Sequence, residues 1–155
     1  KLYGARVTAP ASTDEKCAKA VKAGADIALN STRDDVVKRV KEATGKQGAD
    51  IVVDYVGKAT WAQSLLCVKR GGRIVTCGAT SGYDPTEDLR HVFFRQIQIL
   101  GCTMGNEAEL AAALRCLVQG KLVPVIDSVV PLKDVAEAHR RIQDRKTFGK
   151  VVLVP

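Results

Sequence analysis

The chain is poor in the side chains that most often carry chemistry. It has 2 histidines, 1 tryptophan and 1 methionine in 155 residues. His91 falls in a loop and His139 on a helix with an apolar face, so neither reads as a catalyst. No H-E-x-x-H motif, Ser-His-Asp order or paired carboxylates are present. No catalytic residue and no metal ligand is expected here. An aromatic content of 5% leaves no aromatic-basic platform for stacking nucleobases. The formal charge of +7 is spread over helix faces and is dense only from His139 to Lys146. A nucleic-acid partner is therefore not expected, and the weaker reading as a basic interaction domain would need salt-sensitive binding to support it. Positive potential also suits a polyanionic cofactor. No apolar run approaches the roughly 20 residues that span a bilayer, so a membrane partner is not expected either.

Cysteine is present but unpaired by pattern. The five (Cys17, Cys67, Cys77, Cys102, Cys116) are odd in number and include no C-x-x-C. They read as reduced, mostly buried thiols of a cytoplasmic protein. The apolar content of 46% supplies one domain with a core. The chain opens abruptly at Lys1-Leu2-Tyr3-Gly4, like a helix end entering a strand, and a natural N-terminus further upstream is expected.

The stretch from Gly48 to Gly78 is the most informative. Two short β-branched runs, Ile51–Asp54 and Arg73–Cys77, flank one helix-length segment. Such runs are strands buried on both faces of a parallel sheet. The first runs into Asp54-Tyr55-Val56-Gly57 and the second into Gly78-Ala79-Thr80-Ser81-Gly82. Glycine there lets a flat ligand lie against backbone, at the strand ends where open α/β sheets bind ligands.

The rest continues the alternation. Strands are expected at Ala5–Pro10, Asp26–Asn30, Asp50–Asp54, Gly72–Cys77, Val123–Val130 and Val151–Val154. A helix starts at the Ser12-Thr13-Asp14-Glu15 cap, and Ser31 or Thr32 caps another carrying Val36, Val37, Val40 and Ala43. Ala59–Val68 should present Trp61, Leu65 and Val68 on one face, with a short helix at Arg90–Arg95. Gln96-Ile97-Gln98-Ile99-Leu100 alternates polar and apolar, as an edge strand does. Asn106 and Glu109 cap a helix with Leu110, Leu114, Leu117 and Val118. Lys133–Asp144 should turn Val135, Ala138, His139 and Ile142 inward. The pattern is a doubly wound α/β sheet with helices on both faces. Residues 1–121 form the expected nucleotide-binding domain, and 122–155 a closing segment.

In dinucleotide folds an Asp or Glu after the second strand receives the ribose hydroxyls of NAD. Here Val7-Thr8-Ala9-Pro10-Ala11 leads to Ser12 and Thr13, with no carboxylate until Asp14 and with Lys16 one turn on. Hydroxyls, helix dipole and ammonium together suit a 2′-phosphate. NADP(H) is therefore expected over NAD(H). Val56, Gly57, Gly78, Ala79, Cys102 and Thr103 would line the adenine-to-nicotinamide path, and Lys150 could reach a cofactor phosphate.

Arg6–Lys16 with Lys22-Ala23-Gly24-Ala25-Asp26 resembles the second βα unit of medium-chain dehydrogenases/reductases. Gly48–Gly57, Gly71–Ala79, Pro131–His139 and Phe148–Leu153 are similar to later parts of that family, in the same order. The resemblance covers the whole chain. It is nearest to the zinc-containing alcohol dehydrogenase and quinone oxidoreductase branch in its NADP-using form. It implies a Rossmann-like domain and hydride transfer between NAD(P)H and an alcohol, aldehyde, enone or quinone. It also implies a homo-oligomer, with the edge strand 96–101 pairing to its mate. A non-catalytic nucleotide-sensing module is the alternative. The family's first strand and Gly-rich turn precede Lys1 in this pattern, as does the catalytic domain with its zinc ligands. Zinc in the parent protein would not be bound by these residues, and the fragment alone is expected to be inactive. Ala5–Pro10 and Asp50–Asp54 would flank the first strand. Otherwise they would pair directly, or another chain would lie between them.

Overall fold

The computed structural model describes residues 1–155. Seven strands alternate with six helices. In order they are β1 (Thr8–Ala11), α1 (Asp14–Lys22), β2 (Ile27–Asn30), α2 (Val36–Ala43), β3 (Ala49–Asp54), α3 (Trp61–Cys67) and β4 (Val68–Thr76). Then come α4 (Leu89–Arg95), β5 (Gln98–Gly101), α5 (Glu107–Val118), β6 (Ile126–Pro131), α6 (Val135–Gln143) and β7 (Lys150–Val154). The strands form a β1-β2 pair, a β3-β4-β5 sheet and a β6-β7 pair. The last two are parallel. The α/β alternation is as the sequence implies, and no helix is long and apolar enough to cross a membrane.

The chain divides into two compact units, Lys1–Ala9, Asp14–Ala28 and Asn106–Pro155 in one, Pro10–Thr13 and Leu29–Gly105 in the other. The second contains the main sheet. Its core is Trp61, Leu65, Val68, Ile74 and Ile97, with Val52 and Val92 packed against them. Trp61 and Leu65 are four apart and share a helix face. Val68 and Ile74 on β4 are fully buried. α3 passes into β4 without a loop, and Arg95 caps the helix end. Its guanidinium donates to the Leu65 carbonyl at 2.6 Å and also to the Val68 carbonyl. A cation among the last carbonyls of a helix offsets their partial negative charge.

In the other unit, Asp127 fastens β6 to the chain before β7. Its carboxylate accepts from Arg141 at 2.9 Å and from the Phe148 amide at 2.8 Å. Those contacts hold its pKa below the usual carboxylate range, the Phe148 amide most strongly.

β1 and β3 lie in different sheets, which excludes the direct-pairing alternative. β3 is an edge of its sheet, with Ile51 and Val53 exposed. β5 is the other edge, as expected, but it begins at Gln98 rather than Gln96, because Gln96 is the left-handed C-cap of α4.

Several expectations need correction. Asp35, not Ser31 or Thr32, caps α2, accepting from the Lys38 amide at 3.0 Å. Ser31 instead donates to the Ala11 carbonyl and Thr32 to the Asn30 side chain. His139 and Ile142 are exposed on α6, where only Ala138 is buried. Cys67 alone among the cysteines is buried, while Cys77 and Cys102 are exposed. β6 begins at Ile126 rather than Val123. The Asn106–Glu109 capping box forms as read, although Leu110, Leu114, Leu117 and Val118 are exposed.

Candidate functional site

Register sets the site. Asp54 pairs with Thr76, and Thr76 with Gly101, so β3, β4 and β5 end at one level. The residues that follow, Tyr55–Gly57, Cys77–Ala79 and Cys102–Thr103, leave the same edge of the sheet. An open groove of about 510 Å³ lies there, lined by Thr76, Cys77, Gly78, Ala79, Gly101, Cys102 and Thr103. Four of the expected cofactor residues, Gly78, Ala79, Cys102 and Thr103, are thus brought together.

Val56 and Gly57 follow β3 at the same end of the sheet, next to the residues that line this groove. Gly57 is buried at φ +86, and a Cβ there would lie 2.5 Å from the Gly82 carbonyl oxygen and 3.0 Å from the Ala79 Cα. The glycine lets the β3–α3 turn press against the loop after β4. Hydrogen bonds then lace the two together. The Ser81 amide and hydroxyl donate to the Val56 carbonyl at 2.8 and 2.7 Å. The same hydroxyl accepts from the Ala59 amide at 2.9 Å. The Lys58 amide donates to the Gly82 carbonyl, and Lys58 Nζ pairs with Asp84 at 3.0 Å.

Asp54 organises the turn. It is 3% exposed. Its carboxylate accepts from the amides of Val56 at 2.9 Å and Gly57 at 3.0 Å. It also accepts from the hydroxyls of Thr60 at 2.9 Å and Ser64 at 2.6 Å. Burial pushes the Asp54 pKa up, but the donors from Gly57, Ser64, Thr60 and Val56 together prevail and hold it below the usual carboxylate range. Sequence reasoning placed Asp54 at the strand end without giving it this role. Its bond to the Val56 amide, two residues on, is an Asx turn, and that short-range signal was available. The contribution of Ser81 was not, because its partners lie 22 and 25 residues away.

Ser12 and Thr13 occupy the connection between β1 and α1, and Lys16 lies in the first turn of α1. Lys16 Nζ donates to the Arg145 carbonyl at 2.5 Å, and the Ser12 carbonyl accepts from Thr32 Oγ1 at 3.4 Å. Lys150 opens β7, its amide bonded to the Val125 carbonyl at 2.9 Å. No group of three or more His, Cys, Asp or Glu side chains converges to hold a metal. The residues of this chain therefore do not fit a zinc ion.

Residues 1–119 match the family described as zinc-binding dehydrogenase. The chain is 35% identical over 162 residues to 2-haloacrylate reductase of a Burkholderia species, covering 98% of this chain and 49% of that protein. It thus spans about half that relative's length. A solved NAD-dependent alcohol dehydrogenase superposes with TM-score 0.93 at 44% identity, over 99% of this chain and 45% of the other. The 2-octenoyl-CoA carboxylase reductase CinF, solved with NADP and 2-octenoyl-CoA, gives TM-score 0.85 at 32% identity, over 95% and 37%. The family match and these likenesses agree with the sequence pattern, and the chain belongs to the zinc-binding dehydrogenase family of medium-chain dehydrogenases/reductases.

Proposed function

We propose that this chain is the cofactor-binding part of an NADP(H)-dependent oxidoreductase acting on an alcohol or aldehyde, an enone or a quinone. The observation that carries the reading is the common level of Asp54, Thr76 and Gly101, which opens small-residue loops onto one groove. Gly78, Ala79 and Thr103 line it with little side-chain bulk, so a nicotinamide and its ribose can approach the backbone. When bound, the nicotinamide supplies the hydride. The residues of this chain orient it: the loop 78–82 forms the wall, and Asp54, Gly57 and Ser81 hold that wall still. Ser12, Thr13 and Lys16 receive the 2′-phosphate, and Lys150 a further cofactor phosphate. No residue here acts on the substrate.

Preference for NADP(H) is supported by the absence of a carboxylate between β1 and Asp14 and by the NADP bound to CinF. The solved alcohol dehydrogenase is NAD-dependent, and titration with both cofactors distinguishes the two. Residues 1–121 form the nucleotide-binding domain, and 122–155 a segment closing against the catalytic part of the intact protein. Five unpaired cysteines suit a reducing cytoplasm. The β5 edge, with Ile99 and Leu100 exposed, joins two copies.

The deciding experiment is steady-state turnover by the intact protein, with NADPH or NADH and a panel of enones, quinones and aldehydes. Oxidation of NADPH with at least one acceptor is expected. Cofactor binding without turnover on any of them would favour the sensing module instead.

A further inference from the structure

Cys77 and Cys102 are free, exposed thiols that line one groove. Each directly follows a member of the last register pair of two adjacent parallel strands, Thr76 with Gly101. The Cys102 amide donates to the Thr76 carbonyl at 2.9 Å, the last bond of the ladder, and each cysteine lies one residue beyond the Thr76–Gly101 pair. Neighbouring strands run about 4.8 Å apart, inside the roughly 4.4–6.8 Å of Cα separation that a disulfide spans. The other cysteines lack this arrangement. Cys67 is buried, and burial raises its thiol pKa, which lowers its reactive thiolate fraction. Cys17 and Cys116 are half-buried on α1 and α5.

We propose that Cys77 and Cys102 are an oxidisable dithiol, and that hydrogen peroxide converts it to a disulfide which closes the groove to the nucleotide. The closing effect rests on the cofactor reading above; the dithiol itself does not. In the first step one thiolate sulfur attacks a peroxide oxygen. An S–O bond forms, the O–O bond breaks, and the departing hydroxide takes a proton to leave as water. In the second step the other thiol attacks that sulfenic sulfur. The S–S bond forms, the S–O bond breaks, and a second water leaves. Two thiols lose two electrons and two protons, and one peroxide takes them up to become two waters. The crosslink ties the loop after β4 to the loop after β5 across the groove. A thiol reductant reverses it.

The test treats the intact protein with hydrogen peroxide, maps its peptides by mass spectrometry, and titrates NADPH before and after. A peptide linking Cys77 to Cys102, lighter by two hydrogens, is expected. NADPH affinity should fall by about tenfold or more and return on addition of dithiothreitol. In Cys77→Ser, peroxide should leave NADPH affinity where it was. Separate oxidation of the two thiols with no linked peptide overturns the dithiol. A linked peptide with unchanged NADPH affinity overturns the closure alone. A linked peptide in a protein whose reduced form binds no NADPH overturns the cofactor reading and the closure with it, and leaves the dithiol standing.

Discussion

The Ser64 hydroxyl donates to the Asp54 carboxylate at 2.6 Å, tying the middle of α3 to the end of β3. With Thr60 and the amides of Val56 and Gly57, it makes this buried carboxylate the anchor of the turn beside the groove. Replacing Asp54 by Ala orphans these donors. Hydrogen bonds to a charged group contribute about 1.5–3 kcal/mol each, and they are not additive. Asp54→Ala should therefore lose roughly 3 kcal/mol or more in urea unfolding, with Asp54→Asn losing less because it keeps one acceptor.

The same carboxylate sets an acid limit. The folded pKa of Asp54 is depressed, so its stabilisation is complete above the unfolded value of about 3.9. It is lost as pH falls through the folded value, when the unfolded chain binds the proton more readily. Urea midpoints measured from pH 6 downward should decline below about pH 4. That decline should be shallower in Asp54→Asn.

Gly57→Ala combines a left-handed φ with a Cβ placed 2.5 Å from the Gly82 carbonyl. Strain of about 1–3 kcal/mol and displacement of the 78–82 loop are expected. Calorimetric melting and NADPH titration should both register the change. Ser81→Ala, which removes a hydroxyl bonded to Val56 and Ala59, should do so more mildly.

Along β5 the amides alternate in direction. Cys102 donates to Thr76 on β4, so the Ile99 amide, three residues back, points to the outer edge. Ile99→Pro removes an outward donor and spares the β4–β5 ladder. Sedimentation equilibrium on the intact protein should show dimers for the parent and monomers for the variant. An unchanged dimer would move the interface elsewhere.

Much of this was readable in the sequence where local pattern decides. The apolar runs around Ile74 and Val52 announced the parallel sheet, and Asn106 with Glu109 announced the capping box. Contacts between distant turns were not readable. Nothing in Ser81 alone says that it meets Val56, and nothing in Arg95 says that it caps α3. Periodicity marked Leu110, Leu114 and Leu117 as one apolar face, but a pattern carries no information about what covers it. Ser31 and Thr32 resemble helix caps in composition, yet Asp35 is nearer to the first turn and takes that place.

The central claim is that this chain binds a phosphorylated dinucleotide through Ser12, Thr13 and Lys16. Isothermal titration of the intact protein and Lys16→Ala with NADPH and NADH tests it most directly. NADPH should bind about tenfold or more tighter than NADH, and Lys16→Ala should remove most of that difference while leaving NADH affinity unchanged. Equal affinity for the two cofactors, unaltered in the variant, would contradict it.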